Sequence, residues 1–135
     1  MGELIVKAEL YSLDEVLEFI MNELEKEMCP MKTQMMISIA TEEIFVNIAN
    51  YAYQGEKGNV IIKLEITDNP KQAMIQFWDG GIPYNPLEKE DPDIHQDIME
   101  REIGGLGIYM VKNSMKHVYY NYVDNQNVLT IEKDW

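Results

Sequence analysis

The chain has 135 residues, 46% hydrophobic and 26% charged, a balance typical of a folded globular protein. Its 24 acidic residues outnumber 11 Lys and Arg, so the formal net charge is −13. Such a surface repels nucleic acid and anionic membranes, because binding to both depends on basic residues. The single cysteine, Cys29, excludes an internal disulfide and a zinc site built from cysteines. We therefore expect one domain over residues 1–135, cytoplasmic, with no direct nucleic-acid or membrane partner.

The first part of the chain predicts a strand followed by two helices. Residues 3–10 alternate loosely between apolar and polar, as in a strand. Ser12 with Glu15 three residues later has the spacing of a capping box, which predicts the start of the first helix. This helix is expected to end before Pro30. A second helix is predicted to begin just after that proline and to end near Tyr53.

The second part predicts two hairpins separated by a polar connection. Val60–Thr67 and Ala73–Trp78 form the first hairpin, and Val118–Val123 with Asn127–Glu132 the second. Between the hairpins, residues 82–103 are rich in proline and acidic residues, as in long functional loops. The order of elements predicts an α+β fold with a mostly antiparallel sheet and helices on one face.

The predicted second helix carries an acid and an amide on one side. Glu43 and Asn47 are four residues apart, so they lie one above the other beside the apolar arc that contains Ile44 and Ile48. Together they could act as a base next to an oxygen ligand for a metal ion. The alternative is an ordinary solvated flank of the helix.

Two glycine-containing turns are further candidates for ligand contact. Asp79 begins the sequence Asp-Gly-Gly-Ile-Pro, in which a carboxylate can accept hydrogen bonds from the amine of a base and glycine permits close approach. Gly104–Gly107 (GGLG) opens a helix predicted to reach about Met115, and the free N–H groups at such a start suit phosphate. The alternatives are a common turn for the first and tight helix packing for the second.

The order of these motifs resembles the GHKL superfamily of ATP-binding domains, which includes gyrase, heat-shock chaperone and histidine kinase ATPases. The resemblance runs from about Ser12 to Lys133. The short chain and the strings EEIFVNIANYAY and REIGGLGIYMVKNSMKHVYY are most similar to the anti-sigma factor/serine-protein kinase family. This resemblance implies a two-layer α/β sandwich, the Bergerat ATP-binding fold, with residues 82–103 as an ATP lid.

The resemblance also implies roles for individual residues. Glu43 would be the general base, and Asn47 would bind ATP through Mg²⁺. Asp79 would bind the adenine amine, with Gly81 forming the floor of the pocket. Contacts to the phosphates would come from the second glycine motif and from the lid, namely from Gly105, Leu106, Gly107 and Arg101.

Two functions of different class follow from the resemblance. In the first, the protein is an anti-sigma-type regulator that binds a sigma factor or another client and, with Mg-ATP, phosphorylates a serine of a small antagonist protein. In the second, it is a nucleotide-dependent binding module without kinase activity. A homodimer is implied for either. A plain ATPase and an α+β scaffold without a ligand are further alternatives.

The chain also contains ten methionines. They include Met28, Met31, Met35 and Met36, which surround the predicted start of the second helix. Methionine is flexible and fills irregular space in cores, although it also occurs on partner-binding surfaces. We expect the methionines to fill the core.

Overall fold

The computed structural model of the protein describes residues 2–88 and 105–135. Its strands are β1 (Gly2–Lys7), β2 (Asn59–Thr67), β3 (Gln72–Asp79), β4 (His117–Val123) and β5 (Gln126–Asp134). Its helices are α1 (Leu13–Lys26), α2 (Met31–Tyr51) and α3 (Gly105–Ser114). The strands form one sheet in the order β1-β2-β3-β5-β4, and each pairing is antiparallel. The predicted α+β fold is therefore confirmed.

A hydrophobic core fills the space between the sheet and the helices. In β3, alternate residues from Ala73 to Phe77 are buried, and the residues between them are half-buried. α1 buries Val16, Ile20 and Leu24, which are spaced four apart and so share one face of the helix. The buried apolar side chains of β3 and α1 belong to one packed cluster. The helices thus cover the sheet face that carries the buried residues of β3.

The start of the chain differs from the prediction in two respects. β1 ends at Lys7 instead of near residue 10, because the chain then enters a short 3-10 turn at Leu10–Ser12. Ser12 does precede α1, but its backbone is already helical and its side chain makes no capping hydrogen bond. The capping-box prediction is therefore wrong, and Ser12 is a buried residue instead.

The long helix α2 begins and ends close to its predicted positions. It starts after Pro30, whose backbone is extended, and its last residue is Tyr51. Beyond it, Gln54 and Gly55 have positive φ angles of 49° and 85°. A left-handed conformation cannot continue a helix, and glycine adopts it at low cost. The left-handed Gln54-Gly55 pair therefore prevents the helix from continuing, as the sequence predicts.

The methionines around the start of α2 do not fill the core. Met28, Met31 and Met35 are exposed, and Met36 is partly buried against the core cluster. The expectation of core packing is therefore wrong for three of these four residues.

The connection predicted to be an ATP lid is only partly described. Residues 82–88 include a short 3-10 turn at Pro86–Glu88, and residues 89–103 lie outside the described residues. Within 2–88 and 105–135, none of the helices has the length and apolar character that crossing a membrane requires.

Candidate functional site

A cavity of about 660 Å³ is lined by residues of α2, α3 and the three strands β3, β4 and β5. Its volume lies within the range of small-molecule pockets, roughly 300–1,000 Å³. Apolar side chains form much of the wall, among them Ile44, Ile48, Ile108 and Leu129. A few polar groups interrupt this wall, including Asn47, Asp79 and Asn127. Such a lining suits a ligand with a flat, largely apolar part and a polar edge.

Asp79 is the last residue of β3 and is only 5% exposed. Its Oδ1 accepts hydrogen bonds from the backbone N–H of Gly81 and from Nδ2 of Asn127, each at 3.0 Å. Burial raises the pKa of Asp79, and these two hydrogen bonds oppose the rise because they favour the ionised carboxylate. Within the described part of the chain, Oδ2 has no hydrogen-bond partner. It is therefore the acceptor that Asp79 can offer to a ligand.

Glu43 and Asn47 lie one turn apart on α2, as the sequence predicts. Asn47 lines the cavity, whereas Glu43 is not among the described lining residues. Oε2 of Glu43 instead occupies the place that a Cβ on Gly107 would need. Gly107 is the third residue of α3, in the first turn, where backbone N–H groups have no intrahelical acceptor. The structure thus brings the predicted base into contact with the second glycine motif, and it places the predicted Mg²⁺ ligand at the cavity wall.

Gly81 packs against the end of α2. A Cβ at this position would overlap the backbone carbonyl of Ala52, so only glycine fits without movement of the chain. The next backbone N–H, that of Ile82, donates to the same carbonyl oxygen at 3.0 Å. Gly81 is not among the described residues that line the cavity. Its observed contact is with the backbone of Ala52, so the residues that follow β3 pack against the end of α2.

Tyr53, between the cavity-lining residues Ala52 and Gln54, is a residue that sequence reasoning did not single out. Its hydroxyl donates to the carbonyl of Asn59 at 2.6 Å and accepts from the backbone N–H of Gly80 at 2.7 Å. Burial raises the pKa of Tyr53, so the phenol stays protonated at neutral pH and can donate. The side chain therefore joins the start of β2 to the turn after β3. No local pattern marks it, because Gly80 lies 27 residues away.

Asn127 is a second residue that the sequence did not single out. It is directly opposite Asp79 in the pairing of β3 with β5, and its side chain is buried. The predicted alternation of the closing hairpin could have shown that Asn127 faces the same side of the sheet as Leu129 and Ile131. A polar residue on such a face is the signal that could have identified it.

Other predicted contacts are described only in part or not at all. Gly105 is the first residue of α3, Leu106 is the second, and Arg101 lies outside the described residues. Residues 2–88 and 105–135 contain no group of three or more His, Cys, Asp or Glu side chains that could hold a metal ion. A cation near Asn47 would therefore take further ligands from a bound substrate and from water, as Mg²⁺ commonly does.

The family model of the histidine kinase-like ATPase domain matches residues 6–133. The match begins within β1 and ends within β5, so it includes every helix and strand that forms the cavity. The comparison with curated proteins found no match.

Proposed function

Because the chain belongs to the histidine kinase-like ATPase domain family, we propose that it is a cytoplasmic, Mg-ATP-dependent serine-protein kinase of the anti-sigma type. Membership of an ATPase domain family implies ATP binding. The finer role is to bind a sigma factor or another client and to phosphorylate a serine of a small antagonist protein. The observation that carries this proposal is the contact of Glu43 with Gly107, next to a cavity lined by Asn47 and Asp79.

The cavity has the chemistry that adenine requires. The free Oδ2 of Asp79 can accept a hydrogen bond from an exocyclic amine, and the fixed Oδ1 keeps the carboxylate in one orientation. Ile44 and Ile48 from α2 and Leu129 from β5 line the cavity with apolar surface for a flat ring. Asp79 would therefore select the base by its amine, while the apolar walls supply affinity.

The first turn of α3 and Asn47 suit the phosphates. The N–H groups in the first turn of a helix have no intrahelical acceptor and bind anions, and this turn of α3 contains Gly105 and Gly107. Bound Mg²⁺ would supply the positive charge that a triphosphate needs in a protein of net charge −13. The side-chain oxygen of Asn47 is the protein ligand that we assign to this ion, since Mg²⁺ prefers oxygen.

Glu43 would act as the general base in phosphoryl transfer. It would accept the proton of the substrate serine while the serine oxygen bonds to the γ-phosphorus of ATP. The bond from that phosphorus to the bridging oxygen then breaks, and ADP leaves with the electron pair. Glu43 lies beside the glycine motif assigned to the phosphates, which is where a base must be to reach the attacking hydroxyl.

The first test is titration calorimetry with ATP, with and without Mg²⁺. We expect micromolar binding that strengthens with Mg²⁺ and is at least tenfold weaker in Asp79→Asn. The second test incubates the protein with γ-labelled ATP and a protein extract of the source cells, then identifies labelled phosphoserine by mass spectrometry. Glu43→Gln should abolish the label, and Glu42→Gln, an exposed neighbour on the same helix, should not.

The outcomes separate the two functional classes. Labelling that persists in Glu43→Gln would contradict the assignment of the base. ATP binding without phosphoserine in any extract would favour a nucleotide-dependent binding module, in which ATP alone changes partner affinity. A folded protein that binds no ATP would contradict both functions.

A further inference from the structure

Asn127 is the centre of a hydrogen-bond network beside the cavity. Its Nδ2 donates to Oδ1 of Asp79 at 3.0 Å and to the carbonyl of Ile82 at 2.9 Å. Its Oδ1 accepts from the backbone N–H of Tyr84 at 3.0 Å and from the hydroxyl of Tyr120. The partners fix the orientation of the amide, because a backbone N–H only donates and a carbonyl only accepts.

These four hydrogen bonds use the full capacity of a primary amide, which has two N–H donors and two acceptor lone pairs. Asn127 therefore has no hydrogen bond left for a ligand, although it lines the cavity. It is also only 6% exposed, so loss of any partner would leave a buried polar group unpaired. Its side chain joins the end of β3, the first residues after that strand and β4.

We propose that Asn127 is a positioning residue that holds Asp79 and residues 82–84 in one arrangement and thereby sets the preference for adenine over guanine nucleotides. This inference rests on the ATP-binding part of the proposed function. Nδ2 of Asn127 donates to Oδ1 of Asp79, which leaves Oδ2 of the ionised carboxylate to a ligand as an acceptor only. Adenine presents an amine to this oxygen, whereas guanine would present a carbonyl, and two acceptors repel.

The protonation state of Asp79 connects the Asn127 hydrogen bond to nucleotide binding, and it can be followed through the pH dependence of binding. Burial raises the pKa of Asp79, and the hydrogen bond from Asn127 opposes that rise. Within residues 2–88 and 105–135, the titratable groups that interact with Asp79 from neighbouring elements are the phenols of Tyr53, after α2, and Tyr120, on β4. Burial raises the pKa of both phenols, so they stay neutral through the range in which a carboxylate titrates.

Loss of the Asn127 donor should raise the pKa of Asp79 further. A protonated Asp79 can no longer act as an acceptor only, and its O–H can donate to the carbonyl of guanine. ATP binding requires the ionised carboxylate, so affinity falls as pH falls through this pKa. In a variant without the donor, the same fall in ATP affinity should occur at higher pH.

The test measures the Kd for ATP and for GTP between pH 5.5 and 8.5 in three proteins. Asn127→Leu has a similar volume, removes the hydrogen bonds to Asp79 and to residues 82–84, and adds no titratable group beside Asp79. Thr130→Val is the matched control, since Thr130 is a buried hydrogen-bonding residue of the same strand and is not a lining residue of the cavity. Circular dichroism checks that each variant is folded.

We expect Asn127→Leu to weaken ATP binding at least tenfold at pH 7.5. The ratio of the Kd for GTP to the Kd for ATP should fall at least fivefold. The fall in ATP affinity at acid pH should occur at higher pH than in the wild type. Thr130→Val should change neither the ratio of the two Kd values nor the pH at which ATP affinity falls. If the leucine variant does not fold, Asn127→Ser, which keeps one donor, should show a smaller shift in the same direction.

This inference alone would be overturned if a folded Asn127 variant kept the wild-type ratio of the Kd for GTP to the Kd for ATP and lost ATP affinity at the same pH as the wild type. Absence of ATP binding by the wild-type protein at every pH would overturn the proposed function, and this inference with it.

Discussion

Oε2 of Glu43 lies where the side chain of any larger residue at position 107 would begin. Gly107 is in the first turn of α3, so this contact determines how closely α2 and α3 approach each other. The carboxylate also lies near the positive end of the α3 dipole, which favours a negative charge. The two residues are 64 positions apart by their numbers, and the fold brings them together beside the cavity.

Gly107→Ala should reveal this contact through a double-mutant cycle. The new Cβ must displace the carboxylate of Glu43, whereas alanine favours the helix by up to about 1 kcal/mol over glycine. We expect the change in the free energy of unfolding to be near zero or destabilising. In a Glu43→Ala background the same substitution should stabilise by about 0.5–1 kcal/mol. Urea denaturation of the four proteins measures the difference, and equal effects in both backgrounds would exclude the contact.

Gly81→Ala should destabilise the fold by about 1–3 kcal/mol, because its Cβ would overlap the backbone of Ala52 and the chain would have to move. Gly80→Ala is the adjacent control. Among the described residues its Cβ would meet only the hydroxyl of Tyr53, at 3.6 Å, which is an ordinary contact. We expect that control to stay within about 0.5 kcal/mol of the wild type in urea denaturation. Similar losses in both variants would mean that Ala52 is not the constraint.

Tyr53→Phe should cost about 1 kcal/mol in the free energy of unfolding. The substitution removes the hydroxyl that bonds Asn59 and Gly80, and leaves a backbone donor and a backbone acceptor without this partner. Tyr11→Phe, at a position that is 72% exposed, provides the comparison and should change stability little. Thermal denaturation of both variants measures the difference. A Tyr53→Phe protein as stable as the control would show that water replaces the hydroxyl at no cost.

Asp79→Asn should separate stability from ligand binding. Burial raises the pKa of Asp79 above its value in the unfolded chain, so the folded state holds this proton to higher pH. Stability from this group is therefore fully present below the unfolded pKa and is lost as pH rises through the folded pKa. We expect Asp79→Asn to lack this loss of stability with rising pH. The variant should be at least as stable as the wild type at pH 7.

The same variant should bind ATP at least tenfold more weakly, since an amide replaces the charged acceptor that we propose for the adenine amine. Denaturation between pH 4 and pH 8 and calorimetry with ATP measure the two effects. A variant that is clearly less stable at pH 7 than the wild type would show that the hydrogen bonds of the ionised carboxylate outweigh its burial.

The sequence predicted the type and order of the elements because their signals are local. Alternation of apolar residues indicated β2 and β3 within one residue of their observed starts. In the closing hairpin, Asp124 and Asn125 both have positive φ angles, 52° and 64°, a conformation that these two residue types tolerate in tight turns. The acid–amide pair on α2 and the two glycine motifs were also visible, because their spacing follows from helix and turn geometry.

Only the tertiary structure decided which of these groups meet. Asn127 bonds Asp79 across 48 residues, and the glycine at 81 is required by Ala52 on a different element. Both contacts depend on the order of strands in the sheet and on the place where α2 ends against it. Periodicity specifies which face of an element is buried, and it carries no information about the partner across the core. The cavity and its hydrogen-bond network therefore follow from packing between distant segments.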